Sequence, residues 1–346
     1  MTTIYDVADA AGVSPKTVSR VLNGEGPVNE KTRTLVTEAI DRLNYVPSQA
    51  ARMMRLQKSG VVGVLTSAIS GDATGTAGGL PEIYILQGVQ RILSSAGKIA
   101  MIADTGDDDG QTPALMRSFA ERRAEGLVLI SGRHRQVSLP EVSSSIPVVL
   151  ANCFDGDGTS AVVPDDEAGQ RDCVNGLIER GHRRIAFLTL PEESLAAGLR
   201  TAGYKAALAA ASLPFDPRLV LAAPDADDDE NVLAAALDRL LSGDTPPTAL
   251  CCGNDHLAMR VYSLLQRRGI RVPDDLSVLG FDDHRLITEH LHPRLASVEL
   301  PYAAIGRRAA ERLLERIADV GFAGSGAAVE RLGGPVHWRE SVRTLK

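Results

Sequence analysis

Residues 3–23 restrict the possible folds more than any other part of the chain, because they predict two short helices joined by a tight turn. The segment reads TIYDVADAAGVSPKTVSRVLN. Apolar side chains of the first helix recur at helical spacing: Ile4, Val7, Ala8 and Ala11. Gly12 suits the turn, since glycine reaches positive φ without a Cβ clash. Ser14 suits the N-cap of the second helix and Pro15 its first position.

The second helix separates an apolar face from a polar one. Val18, Val21 and Leu22 face inward, whereas the N-terminal part of the outer face carries small polar and basic side chains. This layout is typical of a helix-turn-helix, whose second helix enters the DNA major groove with its N-terminal end first. An ordinary helical hairpin meets the same spacing, and the segment alone does not decide between the two.

The segments that follow extend this unit to residue 60. A third helix is predicted from Asn29, its cap, to Leu43, with an inward stripe of Leu35, Val36, Ala39, Ile40 and Leu43. Residues 1–46 thus form a three-helix domain of about the smallest size that folds alone. A further short helix and a linker are predicted at residues 47–60. In isolation their basic, Ala- and Met-rich stretch predicts a frayed linker helix. Beside a DNA-binding head, a helix that folds against the minor groove is favoured.

The charge is unevenly distributed along the 346 residues. The whole chain carries −7, but residues 1–60 hold eight Lys/Arg against six Asp/Glu, a net +2, which leaves −9 on the remainder. A small basic head on a large acidic body confines any attraction for phosphates to the head. With 44% hydrophobic and 23% charged residues, the composition is that of a globular protein of two or three domains.

No feature of the sequence predicts export or membrane insertion. No apolar run approaches the ~20 residues that span a bilayer. The N-terminus, with Asp6 and Asp9, lacks the basic-then-apolar pattern of a signal peptide. The four cysteines show no CxxC spacing: Cys153, Cys173, Cys251 and Cys252. They are interpreted as buried reduced thiols, so we expect a cytoplasmic protein.

Residues 61–346 alternate short apolar runs with helical patterns. Strands are predicted at 61–66, 99–103, 126–130 and 148–151, then at 185–190, 219–222, 249–253 and 277–280. Helices are predicted at 82–95, 111–123, 168–180, 199–211, 230–242 and 255–268. Such alternation predicts an α/β body of two doubly wound parallel-sheet lobes, with helices on both faces of each sheet. The first lobe is expected at about 61–160 and 293–322, and the second at about 161–292 and 323–346.

Polar residues stand just past the predicted strand ends, where open α/β sheets bind their ligands. They are Asp104, Ser131, Asn152, Asn254, Asp255, Asp282 and Asp283. A cleft lined by carboxylates and amides suits a polyhydroxylated ligand, because these groups exchange hydrogen bonds with hydroxyls. For any single position, capping of the next helix is the simpler explanation.

No catalytic or metal-binding motif is recognised in the sequence. The chain has no GxGxxG after a strand and no GxxxxGK[ST]. Two groups of potential ligands match no zinc spacing: His284, His290 and His292, and Cys251, Cys252 and His256. We therefore expect neither an enzyme nor a cofactor.

Together these features resemble the lactose-repressor/galactose-repressor (LacI/GalR) family of bacterial transcription regulators over almost the whole chain. The matching phrases of the head are TIYDVADAAGVSPKTVSRVLNG and NEKTRTLVTEAIDRLNYVPSQAARMMR. Those of the body are ERGHRRIAFL, RVPDDLSVLGFDD and HWRES. The resemblance implies a helix-turn-helix head and a body like a periplasmic binding protein, with its cleft where the lobes join.

The resemblance also implies a set of DNA contacts. In the head these are Tyr5, Ser14, Lys16, Thr17, Ser19, Arg20 and Asn23, with Lys31 and Arg33 as backbone contacts. Lys16 and Arg20 are expected nearest to base edges and phosphates. Residues 47–55 resemble the family's hinge helix, which folds only on operator and pairs with its dimer mate; its contacts are Ser48, Ala51 and Met54. Met54 stands where the family usually has an intercalating leucine, and an apolar methionine makes a less stiff wedge.

The body residues that match effector contacts of the family are Asn152, Asp166, Arg200, Asn254 and Asp282. Arg200 aligns with an arginine that typically forks onto ligand hydroxyls or a carboxylate. Two aromatic phrases of the family are missing, one after the first body strand and one near residues 224–227. Because sugars commonly stack on aromatic side chains, these departures weaken the expectation of an ordinary hexose, although Tyr84 or Phe154 can substitute.

We therefore expect a dimeric repressor, because one head reads too few base pairs for useful specificity. A small molecule in the cleft, most simply a sugar or sugar derivative, changes how the two hinge segments meet and so sets operator affinity. No leucine heptad follows HWRES, which favours a dimer over a tetramer. The alternatives are a solute-binding protein without a DNA role, which requires an export signal, and an α/β enzyme, which requires a nucleophile or cofactor motif.

Overall fold

The computed structural model describes residues 2–46, 59–69, 80–106, 108–140, 146–223, 230–318 and 329–345. The chain divides into two compact units, Met1–Gly60 and Val61–Lys346, hereafter the head and the body. The predicted hinge contacts Ser48, Ala51 and Met54 lie outside the described residues. So do residues 70–79 and 224–229, where the family's aromatic phrases are missing.

Three helices form the described head: α1 (Ile4–Ala11), α2 (Pro15–Asn23) and α3 (Glu30–Arg42). The predicted turn and caps are confirmed. Gly12 ends α1 with a φ of 63°, in the left-handed region that favours glycine. Ser14 Oγ accepts a hydrogen bond from the backbone N–H of Thr17 at 3.2 Å, and Asn29 Oδ1 accepts one from that of Thr32 at 2.7 Å. Each bond satisfies an N–H that has no partner within its helix.

The apolar faces of these helices meet in one small core. Its buried members are Val7, Ala8, Ala11, Val18, Val36 and Ala39. The expectation that Leu35 faces inward is wrong, because 43% of its surface is exposed. Successive helical residues point about 100° apart, so that Val36 takes the inward position and turns Leu35 away from it.

The first sheet of the body consists of parallel strands. They are β1 (Val61–Thr66), β2 (Ile99–Asp104), β3 (Leu127–Gln136), β4 (Val148–Phe154), β5 (Ala161–Pro164) and β11 (Val329–Leu332). Their order across the sheet is β11-β5-β4-β3-β1-β2, and every pairing is parallel. The carboxyl ends of these strands therefore lie along one edge.

The second sheet is parallel except at one edge. Its strands are β6 (Ile185–Thr189), β7 (Val220–Ala222), β8 (Ala249–Cys252), β9 (Ser277–Asp282), β10 (Ala296–Glu299) and β12 (Val336–His337). Their order is β12-β10-β9-β8-β6-β7, and only the two-residue β12 runs antiparallel to its neighbour β10. The four cysteines are buried and free.

Helices cover both faces of each sheet, which confirms the predicted doubly wound lobes. They are α4 (Leu80–Ser95), α5 (Thr112–Glu121), α6 (Asp166–Glu179), α7 (Leu195–Ala210), α8 (Glu230–Leu241), α9 (Asp255–Arg267), α10 (Arg285–Thr288) and α11 (Tyr302–Ala318). Helices α4 and α11 share one core with the first sheet, and α5 shares another. Helices α6 and α7 pack on one face of the second sheet and α8 and α9 on the other.

The chain passes between the lobes three times, at Asp165, Leu300–Pro301 and Gly333–Pro335. The lobe boundaries expected from the sequence differ from those observed. Strands β5 and β11 belong to the first sheet, because β5 extends the β4 edge and β11 pairs with β5. Strand β10 belongs to the second sheet, because it pairs with β9. The sequence analysis predicted no strand at β5, β10 or β11, each of which has only four residues.

Helices α6 and α7 approach each other closely at Gly203. A Cβ atom on this glycine would overlap the backbone oxygen of Glu167, which cannot move aside without shifting α6. Gly198, one turn earlier on the same helix, has open space around its Cα. The close contact between the helices therefore requires glycine at position 203 but not at position 198, so Gly198 offers a control substitution within the same helix.

We predict opposite effects of alanine at these two positions. G203A should destabilise the body by about 1–3 kcal/mol, because the added methyl overpacks a helix contact. G198A should stabilise it by about 0.4–1 kcal/mol, because alanine restricts the unfolded chain. Differential scanning calorimetry of the body transition measures both changes. Equal shifts in melting temperature for the two variants would contradict the close approach.

Candidate functional site

The N-terminal part of α2 presents polar side chains at the surface of the head. Those predicted to contact DNA are exposed or half-exposed: Ser14, Lys16, Thr17, Ser19, Arg20 and Asn23. Ser14 Oγ lies 3.0 Å from Thr17 Oγ1, and Asn23 Nδ2 donates to Ser19 Oγ at 3.2 Å. These bonds restrict the rotamers of the small polar side chains, which reduces the entropy lost when they bind a partner.

The other predicted head contacts also lie at the surface. Tyr5 on α1 is 67% exposed. On α3, Lys31 is exposed and Arg33 is half-buried. Every predicted contact of the head is thus at least partly exposed, and its contact with DNA stays a prediction.

In the body, Asp166 and Arg200 form a buried ion pair. Arg200 Nε and Nη2 each lie 2.7 Å from Asp166 Oδ1. Asp166 is the first residue of α6, where the partial positive charge of the helix end favours a carboxylate. Burial opposes ionisation of Asp166, but the charge of Arg200 and hydrogen bonds from His134 and Arg200 outweigh it. The pKa of Asp166 therefore lies below its ordinary value.

Arg200 is held on its remaining sides by groups of the second sheet. Its Nη1 donates to the carbonyl oxygen of Gly253, just past β8. Its guanidinium carbon lies 3.8 Å from the centre of the Phe281 ring, a cation–π contact. Its Nη2 lies 3.9 Å from Asp282 Oδ1, at the end of β9. Three of the five predicted effector contacts are thus brought together: Asp166, Arg200 and Asp282.

Two side chains of the first lobe reach this cluster, and the sequence analysis identified neither. His134 Nδ1 lies 2.7 Å from Asp166 Oδ2. Tyr302, the first residue of α11, lies close enough to Asp282 to lower the pKa of its carboxyl group. His134 was missed because the predicted strand stopped at residue 130, whereas β3 continues through an irregularity in its register after Ile130. Helix α11 was missed although Ile305, Ala309 and Leu313 show clear helical spacing.

Asp282 has an unusual backbone and an unusual pKa. Its φ is 112°, a conformation that costs free energy in a residue other than glycine and that often marks a functional site. Burial raises the pKa of Asp282 to about 7, with nearby Asp166 adding to the rise and Arg200 and Tyr302 opposing it. The carboxyl group therefore changes its charge near neutral pH.

The other two predicted effector contacts have hydrogen bonds elsewhere. Asn152, at a φ of 59°, donates from Nδ2 to the carbonyl oxygen of Ser131 at 2.8 Å. Asn254 Oδ1 caps α9 by accepting from the backbone N–H of Leu257 at 2.8 Å. The capping explanation given for strand-end residues therefore holds for Asn254. Its chain neighbour Gly253 still contacts Arg200, which places Asn254 next to the cluster.

A second buried carboxyl group lies beside the cluster. Asp255 Oδ1 accepts from Ser297 Oγ and its Oδ2 from the backbone N–H of His284, both at 2.7 Å. Burial, together with the charge of Asp282, raises the pKa of Asp255 well above its ordinary value. The rings of His256 and His284 stack 5.8 Å apart, and burial lowers both their pKa values. Burial therefore favours the neutral forms of Asp255, His256 and His284.

Comparison with known proteins identifies both units. Residues 3–48 match the family model of bacterial regulatory proteins, lacI family. Residues 174–342 match a model of the periplasmic binding protein-like domain. The HTH-type transcriptional repressor PurR of Vibrio parahaemolyticus is 34% identical over 322 residues, which cover 92% of this chain and 93% of that protein. The chain belongs to the LacI family.

Other LacI-family proteins are similar to this chain over nearly its whole length. The sucrose operon repressor of Escherichia coli is 32% identical over 91% of this chain and 94% of its own. A structure of the Lac repressor bound to ONPG in the repressed state has a TM-score of 0.78 and 25% identity, covering 99% of both chains. This LacI-family protein is therefore a DNA-binding transcriptional repressor with an effector-binding domain, and its relatives are not enzymes. In the part of the chain that the structure describes, no helix is long and apolar enough to cross a membrane.

We predict that stability depends on pH through Asp282. An unfolded chain releases this proton near the ordinary pKa of 3.8, whereas the folded chain keeps it up to about 7. Stability should therefore fall as pH rises between about 4 and 7 and level off above. D282N, which removes this titration and tolerates positive φ, should raise the melting temperature most at pH 8 and least at pH 5.

D275N is the matched control for that measurement. Hydrogen bonds from Arg271 lower the pKa of Asp275 to about 2, so that its ionised form stabilises the fold above the ordinary pKa. D275N should accordingly lower the melting temperature slightly at pH 8. If D282N lowers it as well, the ionised Asp282 carboxylate is a net stabilising group and the argument fails.

Proposed function

We propose that this LacI-family repressor binds a pseudo-palindromic operator as a homodimer in the bacterial cytoplasm, and that a small polar ligand sets its DNA affinity. The observation that carries the proposal is the cluster of Asp166, Arg200 and Asp282, which lies where the two lobes meet. His134 and Tyr302 reach it from the first lobe. A ligand that binds there contacts both lobes and can change their relative position.

The charges of the cluster favour a neutral, hydroxyl-rich ligand, a sugar or sugar derivative. Arg200 is already paired with Asp166 and lies near Asp282. An anionic ligand would have to compete with these carboxylates for the guanidinium, whereas hydroxyl groups can donate to the carboxylates and accept from arginine. The similarity to the sucrose operon repressor and to the Lac repressor–ONPG structure supports this class. Asn152 and Asn254 complete the proposed site from neighbouring strand ends.

Exposed apolar side chains on the body support a homodimer. Strand β2 is an edge strand whose Ile99 and Ile102 are 56% and 42% exposed. Leu286 on α10 is 70% exposed and Met259 on α9 is 40% exposed. Exposed apolar side chains on an unpaired edge invite association with another chain. Two heads held together by such a body can read two half-sites, with each hinge segment, including Ser48, Ala51 and Met54, between head and body.

In this scheme the head residues divide into two roles. Lys16 and Arg20, with Ser14, Thr17, Ser19 and Asn23, contact base edges and adjacent phosphates from the N-terminal part of α2. Tyr5, Lys31 and Arg33 contact the backbone and fix the register. A solute-binding protein without a DNA role is the alternative function, and the match of residues 3–48 to the lacI model speaks against it.

The DNA-binding test compares specific with nonspecific affinity. A duplex selected in vitro from random sequences should bind the full-length protein more tightly than random DNA, with strong salt dependence. R20A should cost about 1–3 kcal/mol on the selected duplex and relax its preference. K31A should weaken binding to all duplexes and reduce the salt slope by about one. R239A, which removes an exposed arginine of the body, serves as the control. Equal affinity for selected and random DNA would contradict the proposal.

The ligand test uses thermal shifts with sugars, sugar acids and nucleosides. A neutral sugar should raise the melting temperature of the wild-type body transition, since a ligand at 100 times its Kd adds about 2.7 kcal/mol. D282N should bind it about tenfold more weakly, because a hydrogen bond to a charged group contributes roughly 1.5–3 kcal/mol. D275N should respond like wild type. A shift caused only by sugar acids or nucleosides would contradict the proposed class.

A further inference from the structure

A second polar cluster lies beside the segments that connect the lobes. His337 Nε2 lies 2.8 Å from Glu299 Oε2 and 3.6 Å from Asp283 Oδ2. One ligand-type atom from each of these three residues lies within 4.8 Å of the other two. A zinc ion bound tetrahedrally at 2.0–2.2 Å has ligand atoms about 3.3–3.6 Å apart. The observed separations are therefore close to those of a coordination sphere.

The fold brings these side chains together from three adjacent strands. Asp283 follows β9, Glu299 ends β10 and His337 lies on β12, next to β10 in the sheet. Glu299 donates its backbone N–H to the carbonyl oxygen of Pro335, which holds the second and third connecting segments side by side. A Cβ atom on Gly334 would overlap the backbone oxygen of Glu299. The backbone that carries Glu299 is thus closely packed against the segment that leads to His337.

The surroundings of Asp283 resemble those of a metal-binding carboxylate. Its Oδ1 accepts from Arg339 Nη1 at 2.7 Å and from Thr288 Oγ1 at 3.3 Å. Hydrogen bonds to the second oxygen orient a carboxylate ligand for its metal. Two carboxylates, Arg339 and a neutral imidazole sum to one negative charge, which attracts a cation and leaves a net charge of +1 when a divalent ion is bound. Asp283 is buried, whereas Glu299 and His337 are half-exposed and leave a path from solvent.

We propose that Asp283, Glu299 and His337 form a binding site for a divalent transition-metal ion, represented by Zn²⁺. One imidazole and two carboxylate oxygens suit a borderline ion, since calcium and magnesium prefer oxygen ligands alone. Three protein ligands leave a fourth position for water. The bound ion would join the end of β10 to the start of β12 and so tie together two of the three connecting segments.

The test titrates Zn²⁺ into chelator-treated, untagged full-length protein by isothermal calorimetry. One saturable site per chain is expected. Loss of a metal-orienting partner commonly costs 10–100-fold in affinity, so loss of a direct ligand should weaken binding by about tenfold or more. H337Q removes the imidazole but keeps a side chain that can hydrogen-bond to Glu299, and E299Q removes one carboxylate. H290A changes a histidine on an exposed loop and should bind like wild type.

Trp338, next to His337 in the chain, gives a second readout of metal binding. It is the single tryptophan of the chain, and its ring lies 3.6 Å from the guanidinium carbon of Arg180. Its fluorescence should change with Zn²⁺ in wild type and H290A, and the midpoint should move about tenfold higher in H337Q. The absence of saturable binding, or wild-type affinity in both H337Q and E299Q, would overturn the proposal. Circular dichroism without metal checks that each variant is folded.

Discussion

The buried ion pair between Asp166 and Arg200 is the interaction on which the proposed ligand site depends. Removing two charges from water costs several kcal/mol per ion, and loss of one partner costs about 3–5 kcal/mol because the other is left uncompensated. The fold meets this cost with the N-terminus of α6 at Asp166 and with Gly253 and Phe281 around Arg200. The close packing of α6 on α7 keeps the two charges in place.

The same pair also connects the lobes. His134 of β3 lies within hydrogen-bonding distance of Asp166, and Tyr302 of α11 lies near Asp282, so that both lobes contribute to the surroundings of two carboxylates of the second lobe. A hydroxyl-rich ligand would replace or add to these bonds at the same atoms. On this proposal, ligand binding and lobe position would depend on the same polar atoms, so that a binding free energy could shift an equilibrium between two arrangements of the lobes.

Local sequence signals predicted most of the fold and only part of the site. The spacing of Val7 and Val18 and the caps at Ser14 and Asn29 act within a few residues, so the three described helices of the head were predicted. The long apolar strands were found for the same reason. His134 and Tyr302 could not be assigned to the site, because their partners Asp166 and Asp282 come from the other lobe and distant parts of the chain. Such pairings depend on how β3 and α11 pack, which local patterns do not encode.

Asp282 and Asp283 show why the two polar clusters of the body are not independent. Their φ values of 112° and 51° put two consecutive residues in the unfavourable positive region. This turn lets Asp282 reach Arg200 while Asp283 reaches Arg339. Aspartate tolerates such a backbone better than most residues. On the two proposals made above, a ligand on either carboxylate would act on this one turn, and a change in the turn would alter the position of the other carboxylate. The two proposed sites would be coupled because Asp282 and Asp283 are consecutive residues, without a longer chain of contacts between them.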